Sequence, residues 1–332
     1  MNPLSKHVFI LGAGSSKHYG FPTGKELIQD ISENSKARFS QYIKANPTTP
    51  EKLRYYDNRV SVFSNLLSAV VDTISIDWFL NHHNSFTDIG IPALIASIIN
   101  YEFHFMHIKD PQRINSDWYN YLFSTLIKGC KTFEDFSTAL TNNISFITFN
   151  YDRSLEHFLF ANLSSIFIDK SEEEICSVIN QIPIIHVYGK IGYLPWEKGQ
   201  GANESNIIPY GEAKPEDFFK YGFKNVDSIS LIYDDRIQQD TKIRATQLIA
   251  QSKYIYFLGF GYDEINLSNI GLPQLLEQKR VYGTAFNCTP NEISVIEYLL
   301  QNKKHPKSVI NSFLEISNYS CYDLLRNYYH PY

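Results

Sequence analysis

Val8-Phe9-Ile10-Leu11-Gly12-Ala13-Gly14-Ser15-Ser16 is the stretch that decides the reading of this 332-residue chain. Four apolar residues in a row that end on glycine describe a strand buried on both faces, the kind parallel sheets use. The glycine turn lets the backbone bend sharply and come close to a phosphate-bearing ligand. The same turn also serves as a plain strand-to-helix corner, because such turns are common in α/β folds. A helix is expected from Thr23, since Thr23 and Glu26 have capping-box spacing and Leu27, Ile28 and Ile31 share a face.

Downstream of this start the period changes. Val60, Phe63, Leu66, Leu67, Val70 and Val71 form one helical stripe, and residues 91–107 and 118–127 predict two further helices. Strand signals return at Ile144-Ser145-Phe146-Ile147-Thr148-Phe149, at 182–188, at Tyr254-Ile255-Tyr256-Phe257-Leu258 and at 281–287, with helices expected to fill the remainder. The polar, glycine- and proline-rich stretch 196–219 reads as a long surface loop. Apolar strands alternating with helices give the expected fold: α/β, a Rossmann-like doubly wound parallel sheet with a large helical insertion. The sheet domain takes 1–35 and 144–332, the insertion 36–143. Ligands of such sheets sit at the carboxyl ends of the strands. Here those ends are 12–16, 150–152, 186–189, 259–263 and Asn287.

Composition narrows the function. With 30 Lys+Arg against 35 Asp+Glu the chain carries a net charge of -5 and no basic block, which argues against direct nucleic-acid binding. Cys130, Cys176, Cys288 and Cys321 are far apart and form no CxxC pair, so neither a zinc ribbon nor a redox pair is expected. Lone thiols suit a reducing compartment. No run reaches the roughly 18 apolar residues of a membrane span, so a cytoplasmic protein with no membrane partner is expected. His82, His83, His104 and His107 lack a metal-site pattern and read as helix-face or interface residues. Trp78 and Trp118 read as core, and Tyr233-Asp234-Asp235-Arg236 as a surface or subunit contact.

Two motifs raise the nucleotide reading above the plain corner. Residues 12–22 resemble the sirtuin signature G-A-G-x-S-x-x-x-G-x-P at every fixed position, and Thr148-Phe149-Asn150-Tyr151-Asp152 resembles its second signature, T-x-N-x-D. The dehydrogenase fingerprint fails at Lys17, and the Walker P-loop is absent. The chain therefore resembles the sirtuin-like superfamily over its sheet domain. It departs from the deacylases in three places. Thr23-Gly24-Lys25 replaces their Asp-Phe-Arg, the four-cysteine zinc module has no ligands, and Tyr188 fills the slot of the histidine that precedes glycine. With the helical insertion, these departures bring it closer to bacterial antiphage NAD hydrolases, which the glycine turn 258–262 also resembles.

The resemblance implies NAD as substrate, no metal, and a homo-oligomer with a separate activator or sensor, for example a hexameric motor ATPase. It implies a nucleotide site of Gly12, Ala13, Gly14, Ser15, Ser16, Pro22, Thr23, Asn150, Tyr188, Gly259, Gly261 and Asn287. The expected catalytic residues are Asn150, His186 and Asp152. Nicotinamide leaves NAD as a neutral molecule, so the site needs no strong acid. It must hold the ribose, support an oxocarbenium-like centre and admit water. Asn150 both donates and accepts, and His186 titrates near neutrality. Residues two apart on a strand share a face, which would let His186 serve the Tyr188 pocket, although a core histidine is the alternative. Asn150 and Asp152 also suit a plain turn, and Asp263 and Glu264 suit either ribose contact or helix capping. A protein deacylase and a catalytically silent NAD- or ADP-ribose-binding module are the competing functions.

Overall fold

The computed structural model describes residues 6–71, 74–107, 117–197, 201–232, 239–301 and 313–331. The Tyr233-Asp234-Asp235-Arg236 segment, residues 1–5 and the side chain of His107 lie outside the described part.

Six strands form one all-parallel sheet: β1 (His7–Leu11), β2 (Ile144–Thr148), β3 (Ile184–His186), β4 (Tyr254–Leu258), β5 (Arg280–Thr284) and β6 (Phe313–Ser317). Their order is β3-β2-β1-β4-β5-β6, the doubly wound arrangement. The centre is set by β1, where Leu11 pairs with Thr148 on one side and Leu258 on the other. All five residues of β1 and of β2 are buried, as continuous apolar runs in a two-sided parallel sheet require. The order reverses between β1 and β4, so the turns leaving these two strands open a crevice at the carboxyl edge.

Three strand expectations change. β5 stops at Thr284, and Asn287 lies beyond it in an exposed left-handed turn. β3 spans three residues and ends at His186, so strand alternation does not reach Tyr188. β6 was not expected at all. It is a half-exposed edge strand with Glu315 in its middle, which hides the apolar alternation.

Every described element between β1 and β2 is helical. Helix Gly24–Ala45 runs unbroken through residue 35 and begins with the capping box of Thr23 and Glu26. Helix Thr87–His107 is the apolar centre of this half. The stretch Asn84–Met106 is long and apolar enough to cross a membrane, but 67% of the qualifying window is buried inside the protein. It packs tightly on helix Phe218–Lys224, where a methyl group on Gly222 would lie 2.5 Å from the Pro92 carbonyl oxygen. The stretch 196–219 is a surface loop only in part, with Gly201, Asn203, Glu204 and Ser205 exposed. Ile208, Tyr210, Ala213, Phe218 and Phe219 are all buried in it, and one continuous core joins helices and sheet.

Buried Arg153 ties these layers together. It pairs with buried Glu102 of the Thr87–His107 helix and donates to the carbonyls of Ile208 at 2.7 Å and Tyr193 at 3.2 Å. Trp118 is core, as expected, whereas Trp78 is 37% exposed and stacks on His82.

Candidate functional site

The turns after β1 and β4 touch through backbone alone. A side chain on Gly12 would meet the Gly259 carbonyl oxygen at 2.6 Å, and one on Gly259 would meet the Ser15 nitrogen at 2.0 Å. Gly259 also adopts φ +56. The amides of Gly12 and Gly14 donate to the carbonyls of Leu258 and Gly259, so these two groups serve the β1–β4 contact and do not face a ligand.

In front of this contact is a cleft of about 630 Å³. Ala13, Gly14, Ser15, Thr23, Gly259 and Gly261 line it, as the sequence suggests. Its other walls are aromatic or aliphatic: Trp118, Phe260, Phe286, Ile296, Tyr319 and Tyr322. Among the described residues no carboxylate lines it, while Lys17 and His18 do. Gly12, Ser16, Pro22, Asn150, Tyr188 and Asn287 do not line the cleft. Asn287 uses its N–H on the Asn318 side chain. Asp263 caps helix Glu264–Asn269, which settles it in favour of capping.

Asn150 stands immediately behind the cleft. Its Nδ2 donates to the Ser16 hydroxyl at 3.0 Å and more weakly to that of Ser15 at 3.4 Å. Its Oδ1 is buried and has no hydrogen-bond partner among the described residues. Asp152 is buried two residues on and accepts from the Ser154 N–H and hydroxyl. Burial raises its pKa above its ordinary value, opposed by hydrogen bonds from Ser154 and Ser16. Asp152 thus holds the start of helix Ser154–Ile166 and the Ser16 hydroxyl, and positions Asn150 through that hydroxyl.

His186 does not join them. Its Nδ1 donates to the Asn150 carbonyl at 2.9 Å, and its Nε2 meets Glu156 Oε1 at 2.8 Å. Both ring nitrogens are thus engaged within the protein. Burial pushes the Glu156 carboxyl up, but His186 and Lys190 outweigh it and hold the group well below its usual range. The Tyr188 side chain goes the other way, against Phe149, and its hydroxyl donates to Asn266 Oδ1. Catalytic service by His186 from one step back is therefore not what the geometry provides.

Residues that sequence reasoning missed are His18, Trp118, Phe286 and Tyr322. His18 occupies a variable position of the first motif, so only its neighbourhood signalled it. Trp118 belongs to helix Trp118–Ile127 and donates to the Ser15 carbonyl at 2.8 Å, a contact across 103 residues without local signature. Among the described residues no group of three His, Cys, Asp or Glu is placed to hold a metal.

A scan against protein-family models and a search of curated proteins return no match. What stands on geometry is a Rossmann-like six-stranded parallel fold with a cleft at its topological switch point.

Proposed function

We propose that this chain is a sirtuin-like NAD hydrolase that binds NAD in the switch-point cleft and cleaves the nicotinamide–ribose bond. Water and NAD give nicotinamide, ADP-ribose and a proton. The observation that carries the reading is the cleft: aromatic walls for planar rings, no carboxylate among its described lining residues, and His18 together with Lys17, which pairs with Glu26, on the side where a diphosphate would lie. Asn150 does not line the cleft; its Nδ2 holds the hydroxyl of Ser15, which does, and so positions the wall that a ribose would meet. His18 is the imidazole that lines the cleft and the candidate to take the water's proton. Depletion of NAD in antiphage defence, a cytoplasmic setting, a homo-oligomer and a separate activator rest on the motif resemblance.

One observation favours a second reading, a silent NAD- or ADP-ribose-binding module. Tyr188 occupies the sirtuin histidine slot with its hydroxyl engaged, and His186 is turned onto Glu156. Nicotinamide release from NAD, with and without an acyl-lysine peptide, separates the readings. Release without peptide that falls about a hundredfold in Asn150→Ala is the expected result. Turnover only with peptide would establish a deacylase, and NAD binding without turnover would leave the silent module or an enzyme that waits for its activator.

A further inference from the structure

A second cavity, of about 540 Å³, lies beside β3, away from the cleft. Its inner wall is a connected charge network: His186 on Glu156, and Lys190 between Glu156 and Glu197. Each carboxylate in it has a partner. Glu197 is buried and also accepts the Leu194 N–H at 2.7 Å, leaving further lone pairs free to accept. The rim is different. Lys224, Asp227 and Arg244 line it, are exposed, and form no ion pair among the described residues, so the rim has an excess of one positive charge.

Asn225 points to an occupant. It is 2% exposed, lines the chamber, and its Nδ2 donates to the Tyr221 carbonyl at 2.9 Å. Its Oδ1 has no partner among the described residues. A buried amide oxygen left unpaired is costly, so a donor brought by a ligand would relieve it. Gly192, at φ +136, comes close to it: a side chain there would fall 3.0 Å from that same oxygen and 2.9 Å from the Asn206 carbonyl oxygen.

We propose that this chamber is a second ligand site and that it takes a small phosphorylated sugar. The hydroxyls donate to Asn225 Oδ1 and the Glu197 carboxylate, and the phosphate meets Lys224 and Arg244 at the rim. A sugar suits a chamber whose wall is polar and whose unfilled need is for a donor. An anion suits a rim whose unpaired charges are mostly cationic. The assignment is independent of NAD cleavage in the cleft.

Calorimetric titration of the full chain with ribose 5-phosphate tests it, with ribose, inorganic phosphate and AMP as comparison probes. Saturable binding of ribose 5-phosphate, weakened about tenfold or more in Arg244→Glu and also in Asn225→Leu, is the expected result. Arg244 is exposed, so its variant reports on binding even where Asn225→Leu fails to fold. AMP binding more tightly than ribose 5-phosphate would assign the phosphoribosyl unit to a nucleotide, and the reverse order to a free sugar phosphate. The proposal is overturned by no saturable binding, by inorganic phosphate binding equally well, or by affinity unchanged in Arg244→Glu. Displacement of ribose 5-phosphate by NAD would place the sugar in the cleft and also overturn it.

Discussion

The cleft at β1 and β4 is built from backbone, whereas the chamber beside β3 is built from charge. Gly12, Gly14 and Gly259 make the first by having no side chains, so that two turns meet main chain to main chain. Glu156, His186, Lys190 and Glu197 make the second by pairing charged groups out of water. The two sites therefore fail differently. A backbone site breaks when an atom is added, and a charge site breaks when a partner is removed.

The largest effect is expected from Arg153→Ala. This guanidinium is fully buried, pairs with a fully buried Glu102, and holds the Tyr193 and Ile208 carbonyls of the segment that walls the chamber. Removing one member of a buried pair leaves the other charge uncompensated, at a cost of about 3–5 kcal/mol. Chemical denaturation should show that loss. An unchanged midpoint would mean that Glu102 simply takes up a proton, for which burial already raises its pKa.

Gly259→Ala tests the other half of the comparison. The added carbon falls 2.0 Å from the Ser15 nitrogen and 2.2 Å from the Gly14 carbonyl carbon, at a left-handed φ. The β1 and β4 turns must separate, at a cost of about 2–3 kcal/mol. NAD binding should disappear while the chamber network is kept. Retained NAD affinity would show that the glycine contact is only a packing device and that the ligand sits elsewhere.

Acid separates the two regions further. His7, at the base of β1, is stacked with Tyr254 and Tyr256, and burial, reinforced by Lys253, lowers its pKa from 6.5 to about 4. The unfolded chain takes up this proton first. Its contribution is therefore complete above pH 6.5 and is lost as pH falls towards 4, amounting to about 2 kcal/mol at pH 5. Glu156 behaves otherwise. Its folded pKa is depressed, so its contribution holds above the ordinary glutamate range and is lost only below it. His7→Phe should flatten the stability profile between pH 6.5 and 4. A slope as steep as in the parent protein would assign the acid sensitivity to another group.

These contrasts explain what could be read from the sequence. Residues 12–16 and 259–261 were legible because glycine after an apolar run has few physical uses. The parallel sheet followed from the same runs. The chamber was not legible, since Glu156, Lys190, Glu197, Asn225 and Arg244 come from separate segments that look solvated until the chain folds. That His186 is directed to Glu156 and away from the cleft was not legible, because β3 ends at His186 and strand alternation does not carry on to Tyr188. Asn287 was misplaced for the related reason that β5 stops three residues earlier, and its side of the turn leaves the cleft to Phe286 and Cys288.

The smallest of these effects concerns how the helical half reaches the cleft. Trp118 is 1% exposed, lines the cleft, and gives its indole N–H to the Ser15 carbonyl. The next residue, Tyr119, stacks on Tyr19 at 4.2 Å and meets the Ser154 hydroxyl at 3.0 Å. One helix therefore touches the glycine turn and the start of the helix after Asp152 together. Trp118→Phe keeps most of the apolar contact and removes one buried hydrogen bond, so stability should fall by only about 1 kcal/mol. Its effect on ligand affinity is the sharper measure. If the cleft were purely a backbone site, NAD affinity would follow the small stability loss. A drop in affinity much larger than this, measured by calorimetry on a variant that still unfolds cooperatively, would show that the helical insertion supplies a wall of the ligand site. The cleft would then be a joint product of glycine turns and insertion, a dependence that neither signature motif contains.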